Sequence, residues 1–90
     1  MVTVRLPRHL LRHVDAPGEC MAAGSTVAEV MEDLERQFPS MTAYLVDEHG
    51  ALRQHVNIFI GERLVRDRER LSDPLDAEAQ VYVMQALSGG

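Results

Sequence analysis

Residues 24–39 of this chain read GSTVAEVMEDLERQFP and have the features of one amphipathic helix. Thr26 followed by Glu29 fits a capping box, in which the two side chains bind unpaired backbone N–H groups at the start of a helix. Apolar residues then recur at helical spacing as a single stripe: Val27, Val30, Met31, Leu34 and Phe38. Pro39 ends the helix at or near Phe38, because the residue before a proline avoids helical geometry. Such a helix has to bury its stripe against another element.

That other element is predicted to be a β-sheet, since strand patterns flank the helix on both sides. Residues 2–6 alternate apolar and polar up to Pro7, and GECMAA at 18–23 predicts a short strand that pairs back on the first. After the helix, VNIFI at 56–60 is apolar at four of five positions, so we expect a central strand there. Residues 80–84, QVYVM, alternate again and form the last strand.

The connecting segments have weaker patterns. We interpret 7–17, with its two prolines, as a loop. Residues 40–45 have room for a short helical segment, with Met41, Tyr44 and Leu45 expected to point inward. The sequence DEHG at 47–50 predicts a turn, and Gly61-Glu62 predicts another turn before a short return strand at 63–65.

This order of elements predicts an α+β fold, with one main helix packed across one face of a mixed sheet of four to five strands. If the first and last strands lie side by side at the centre, the fold is a β-grasp, the fold of ubiquitin. We expect one domain over residues 1–85 and a flexible tail over 86–90.

A single helix covers only one face of a sheet, so apolar side chains of the last strands should be exposed on the other face. The candidates for this partner-docking patch are Tyr82 and Met84, together with either Ile58 and Ile60 or Phe59. The alternative is that the loop at 7–17 covers them.

Size and charge exclude several classes of function. Ninety residues form one domain with little room for a deep active-site cavity. A net charge of −5 argues against a nucleic-acid partner. No apolar run reaches the length of a membrane span, and no signal peptide precedes the first strand, so we expect a cytoplasmic protein that does not bind membranes.

Residues that could carry chemistry form no recognised motif. The only cysteine, Cys20, rules out an internal disulfide and fits a small apolar strand residue. His9 and His13 are four residues apart, but no carboxylate or third ligand stands at a recognised metal spacing. We interpret all four histidines as solvated side chains: His9, His13, His49 and His55. We therefore expect no bound metal, no bound cofactor, no catalytic residue of its own and no enzymatic activity.

The sequence ends with ALSGG, residues 86–90. Gly89 and Gly90 lack a Cβ, so together with Ser88 and Leu87 they can thread a narrow channel. Five extended residues reach at most about 17 Å. The Gly90 carboxylate could thus enter a partner's active site while the domain docks outside. The alternative is a frayed end without function.

The chain resembles the prokaryotic ubiquitin-like sulfur carriers of the ThiS/MoaD superfamily. The resemblance spans Val2 to Gly90 and rests on the helix sequence, VNIFIGERLVR, LSDPLDAEAQVYVMQALSGG and, most specifically, the terminal diglycine. LRQHVNIFIGERLVR is most similar to carriers for cysteine synthesis or natural-product sulfur incorporation, followed by the small subunit of molybdopterin synthase. The residues before the diglycine, Ala86-Leu87-Ser88, differ from the endings of many relatives and leave the acceptor open.

The resemblance implies a covalent cycle at Gly90. An E1-like adenylyltransferase of the MoeB/ThiF type uses ATP to convert the Gly90 carboxylate to an acyl adenylate. A sulfur donor then displaces AMP and leaves a thiocarboxylate. An acceptor enzyme, cysteine-synthase-like or the large subunit of molybdopterin synthase, takes the sulfur.

Two other functions stay open. The chain could be a ubiquitin-like modifier that is conjugated through Gly90 to lysines of target proteins. It could also be a plain interaction domain whose diglycine is accidental.

Overall fold

Five strands form one mixed sheet in which the two ends of the domain meet. The computed structural model of the protein describes residues 1–85. The strands are β1 Val2–Arg5, β2 Glu19–Ala22, β3 Val56–Ile60, β4 Arg63–Leu64 and β5 Gln80–Gln85. Their order across the sheet is β2-β1-β5-β3-β4, with β1 and β5 parallel and every other pair antiparallel. This is the predicted β-grasp, with β5 at its centre and β3 one place away from it.

The main helix, α2, spans Val27–Gln37 and starts close to the predicted capping box. The Thr26 hydroxyl accepts a hydrogen bond from the Glu29 N–H at 3.2 Å, as expected. The Glu29 carboxylate, however, accepts from the N–H and hydroxyl of Ser25, at 2.8 and 2.9 Å, rather than from Thr26. The reciprocal bond is thus shifted by one residue, from the N-cap Thr26 to Ser25 before it.

The apolar stripe of α2 packs on one face of the sheet and forms the core with it. The helix contributes Val27, Val30, Met31 and Leu34. The sheet contributes its inward-facing strand residues: Val2, Val4, Cys20, Ala22, Val56, Ile58, Val81 and Val83. Ile58 is fully buried, so its place in the predicted exposed patch is wrong. Its cross-strand partner is Val83, and paired residues point to the same face of a sheet.

The segment at 7–17 is not a plain loop, because it contains the short helix α1, Arg8–Leu11. Pro7 precedes α1 with a φ of −73°, a value that suits a helix start. Leu10 and Val14 of this segment join the core. The segment is therefore tied to the core and leaves the opposite sheet face uncovered.

The segment after α2 forms a single 3₁₀ turn, Thr42–Tyr44. Met41 and Leu45 are fully buried, as predicted. Tyr44 is 40% exposed, so its predicted inward orientation is wrong. Its ring instead stacks on that of His13, with centroids 5.3 Å apart.

Within residues 1–85, no helix is both long and apolar enough to span a bilayer.

Candidate docking face and tail exit

No element of residues 1–85 covers the sheet face opposite α2, and we call it the open face. Its side chains alternate with the core residues along each strand, and the strand register lines them up across the sheet. The residues of the open face are Thr3, Arg5, Glu19, Met21, Asn57, Phe59, Leu64, Gln80, Tyr82 and Met84.

Large apolar side chains are concentrated on the open face. Met84, Leu64 and Met21 are 52%, 47% and 45% exposed, and Tyr82 and Phe59 between them are half-buried. Isolated apolar side chains are common on protein surfaces, but a group of five on one flat face is typical of a surface that another protein covers.

Charged groups border the apolar part of the open face on the β1–β2 side. The Arg5 guanidinium lies 5.9 Å from the centroid of the Tyr82 ring. Arg5 also pairs with Glu19 at 3.1 Å, with both side chains about half exposed. The open face therefore combines exposed apolar side chains with a charged pair on its β1–β2 side, and protein interfaces commonly contain both.

The predicted docking residues divide between the two faces. Tyr82, Met84 and Phe59 lie on the open face. Of the two predicted alternatives on β3, the fold therefore places Phe59 on this face, and not Ile58 with Ile60. Ile60 pairs with Val81 and points to the core side, where it is partly buried. Sequence reasoning missed Met21 and Leu64, because only the strand register shows that they share a face with Tyr82. Docking through these residues stays a prediction.

Gln85 is the last described residue of β5, and it pairs with Val56 at the start of β3. The predicted sulfur-carrying and threading residues lie beyond it, outside the described part: Leu87, Ser88, Gly89 and Gly90. A cleft lies beside Gln85, and its polar lining residues define what we call the exit cleft: His9, His13, Tyr44, Arg53, His55 and Gln85.

The described residues that could bind a metal or act as a nucleophile are dispersed or buried. No group of three or more His, Cys, Asp or Glu side chains in that part of the chain is placed to hold a metal ion. Cys20 is buried in β2, and this burial raises the pKa of its thiol, as does the adjacent Glu19 carboxylate to a smaller extent. A higher pKa leaves less of the reactive thiolate, so Cys20 acts as a core residue.

The sequence matches a known family and known proteins. The model of the ThiS family matches residues 11–90. The sulfur carrier protein CysO of Mycobacterium tuberculosis is 30% identical over 91 residues, which cover 99% of this chain and 98% of CysO.

Solved structures agree with this match. The structure of the Amycolatopsis orientalis BexX/CysO complex contains a chain that is 28% identical, with a TM-score of 0.87 and full coverage of both chains. SAMP1 from Haloferax volcanii, at 18% identity, has a TM-score of 0.76 over 99% of this chain and 98% of its own, and shows the shared fold alone. With a family model that matches nearly its whole length, this chain belongs to the ThiS family.

Proposed function

We propose that this protein is a sulfur carrier that delivers sulfur as a thiocarboxylate on Gly90. One structural observation carries the proposal. The apolar open face includes residues of β5, the strand that the diglycine segment follows in the sequence. The close similarity to CysO over nearly the whole chain supports the same function.

The chemistry needs activation by a partner, because a carboxylate is a poor electrophile. A Gly90 carboxylate oxygen attacks the α-phosphorus of ATP on an E1-like adenylyltransferase, and pyrophosphate leaves. A hydrosulfide from a sulfur donor then attacks the acyl carbon and AMP leaves with the C–O bond electrons. The product is a thiocarboxylate whose sulfur is a good nucleophile. The carrier is thus a covalent co-substrate that needs no base, metal or cofactor of its own.

The domain supplies docking and reach. The open face binds the partner, and five extended residues place Gly90 at most about 17 Å beyond Gln85. Tethering raises the effective concentration of the sulfur at the acceptor's active site. This cycle needs ATP and the partner enzymes, so we expect the protein to act in the cytoplasm.

A cysteine-synthase-like enzyme is the acceptor we favour, because the similar curated proteins carry the name CysO. The large subunit of molybdopterin synthase is the second candidate. The solved BexX/CysO complex shows that one similar carrier assembles with another protein, which supports a partner-bound state here.

Intact-protein mass spectrometry of the chain from its native cell tests the proposal. We expect a population heavier by one sulfur-for-oxygen exchange, with fragment ions that locate the change at Gly90 and not at an oxidised methionine. Carboxylate alone, with no activation by the adenylyltransferase of the same cell, would contradict a carrier function. Adducts that join Gly90 to lysines of other proteins would instead indicate a ubiquitin-like modifier.

A further inference from the structure

The exit cleft brings together side chains that are far apart in the sequence. It has a volume of 320 Å³ and opens between α1, the 3₁₀ turn and the residues before β3. Three of the chain's four histidines line it: His9, His13 and His55. They meet because β1 and β5 are parallel neighbours, so the chain that leaves β1 lies at the end of the sheet where β5 finishes and the antiparallel β3 begins.

Hydrogen-bond donors of the exit cleft are exposed and accessible to a ligand: His9, His13, Arg53 and His55. Arg53 donates from Nε to the Ala43 carbonyl at 3.0 Å, which holds its side chain in place. Within residues 1–85, its terminal amino groups make no hydrogen bond. The His13 ring is held by ring contacts alone, stacked on Tyr44 and edge-on to His9 with centroids 5.5 Å apart. Because Arg53 is exposed and its side chain is held in place, a ligand with acceptor oxygens can reach its terminal amino groups.

One acceptor of the exit cleft also lacks a partner. The Gln85 Oε1 atom is shielded from solvent, and no donor among residues 1–85 reaches it. A shielded acceptor without a donor costs free energy, so the expected ligand brings an N–H group close to its acceptor oxygens. A peptide segment with an acidic side chain has both.

The charge at the exit cleft is opposite to that of the whole chain. The chain has a net charge of −5, but none of the residues that line the cleft is acidic. Two acidic residues lie in neighbouring pockets: Asp47, in a pocket that Arg53 and His55 also line, and Asp15, in one that His13 and Tyr44 also line. The Oδ1 atom of Asp47 already accepts from the N–H groups of His49 and Ala51. With histidines counted as neutral, the lining of the exit cleft thus carries one positive charge, that of Arg53, on an acidic protein.

We propose that the exit cleft binds an acidic side chain at the mouth of the adenylyltransferase channel that receives the tail. The inference rests on the proposed function and adds the chemistry of the partner surface. The partner carboxylate pairs with the Arg53 guanidinium, and a backbone N–H beside it donates to Gln85 Oε1. A partner that engages Gly90 must lie near Gln85, because the tail is at most about 17 Å long. In the complex with the adenylyltransferase, the open face then supplies most of the buried surface area. The charged contact at the exit cleft fixes the orientation of the carrier and raises the association rate.

The test compares two arginines that differ in position and not in charge. Arg53→Gln alters the exit cleft, and Arg66→Gln is the matched control, since Arg66 is also exposed and lies in the segment after β4. Pyrophosphate exchange by the adenylyltransferase of the same cell is measured at several carrier and salt concentrations. We expect Arg53→Gln to raise the KM for the carrier about tenfold with little change in kcat, and to weaken the dependence of KM on salt. Thermal unfolding confirms that both variants are folded.

The outcomes separate this inference from the proposed function. An equal effect of the two variants, or a fall in kcat alone for Arg53→Gln, would overturn the exit cleft as a docking site while the carrier function stands. If the unaltered chain is not adenylated at all, the proposed function fails, and this inference fails with it.

Discussion

At the scale of single residues, Asp73 has the most demanding environment. It is the one charged side chain buried within residues 1–85, at 5% exposure. Burial would raise the pKa of its carboxyl, but hydrogen bonds from the Arg66 and Asp67 N–H groups and the Arg63 guanidinium outweigh burial and lower it. Asp73 thereby holds the segment after β4 against the start of α2, where its own carbonyl accepts from the Val27 N–H.

Asp73→Asn should lower the free energy of unfolding at neutral pH by about 2–3 kcal/mol, because it removes the charge from a buried, hydrogen-bonded pair. Urea denaturation measures the loss, with the exposed Glu62→Gln as a control that should stay near zero.

The loss should also depend on pH. Because the folded pKa of Asp73 lies below its unfolded value of about 3.9, its stabilisation is complete above that value and is lost as the pH falls through the folded pKa. The gap between wild type and Asp73→Asn should therefore narrow below about pH 4. A gap of constant size would show that the ionised form is not what stabilises the fold.

At the scale of elements, α2 packs on the core and also shields the edge strand β2. Gln37 donates to the Met21 carbonyl at 2.9 Å, and Asp33 accepts from the Ala23 N–H at 3.0 Å. These bonds occupy backbone groups at and just after the β2 edge that could otherwise pair with another chain.

Gly24→Ala should destabilise the junction between β2 and α2 by about 2 kcal/mol, since the first turn of the helix has to move. A Cβ at Gly24 would lie 2.7 Å from the Val30 nitrogen and 2.8 Å from the Glu29 Cβ. Gly18→Ala is the matched control, because its Cβ would meet nothing closer than 3.6 Å. Equal melting temperatures for the two variants would show that the close approach at Gly24 is not needed.

At the scale of the whole molecule, folding and function are assigned to different parts of the chain. Among residues 1–85, the core residues lie at or before Val83, and α2 covers one side of the sheet. A partner can therefore contact the side chains of the open face without any change in this core.

Met84→Asp should weaken docking about tenfold or more and leave the domain folded, since the side chain is half exposed on the open face. The KM of adenylation and the melting temperature measure the two effects. Ala77→Asp adds the same charge at an exposed turn before β5 and should change neither. An unfolded Met84→Asp protein would contradict the assignment of Met84 to the open face.

Deletion of Gly90 should abolish adenylation and leave the melting temperature unchanged, because the core described within residues 1–85 is already closed by α2 and the sheet. Gly89→Val keeps a terminal carboxylate but adds a β-branched side chain, so it should also block entry to the partner channel. Normal adenylation of Gly89→Val would contradict threading, and a lower melting temperature for the deletion would contradict the separation of tail and core.

Several elements could be predicted because their patterns are local. The periodicity of α2, the alternation of β1 and β5 and the β1–β2 hairpin are confirmed close to their expected bounds. Predictions that depended on distant partners were less reliable. The short helix α1 was missed between its prolines, and Tyr44 was expected to be buried but stacks on His13.

The sequence by itself determined the α+β class, the order of elements and the diglycine ending with its family resemblance, because each of these depends on residues that are neighbours along the chain. Only the tertiary structure decided which side chains share a face or a cleft. The pairing of Ile58 with Val83 buries Ile58, and the pairing of Phe59 with Tyr82 places Phe59 on the open face. Likewise, the parallel contact of β1 with β5 brings His9 and His55 together. Register and topology are set by long-range contacts, which no local pattern contains.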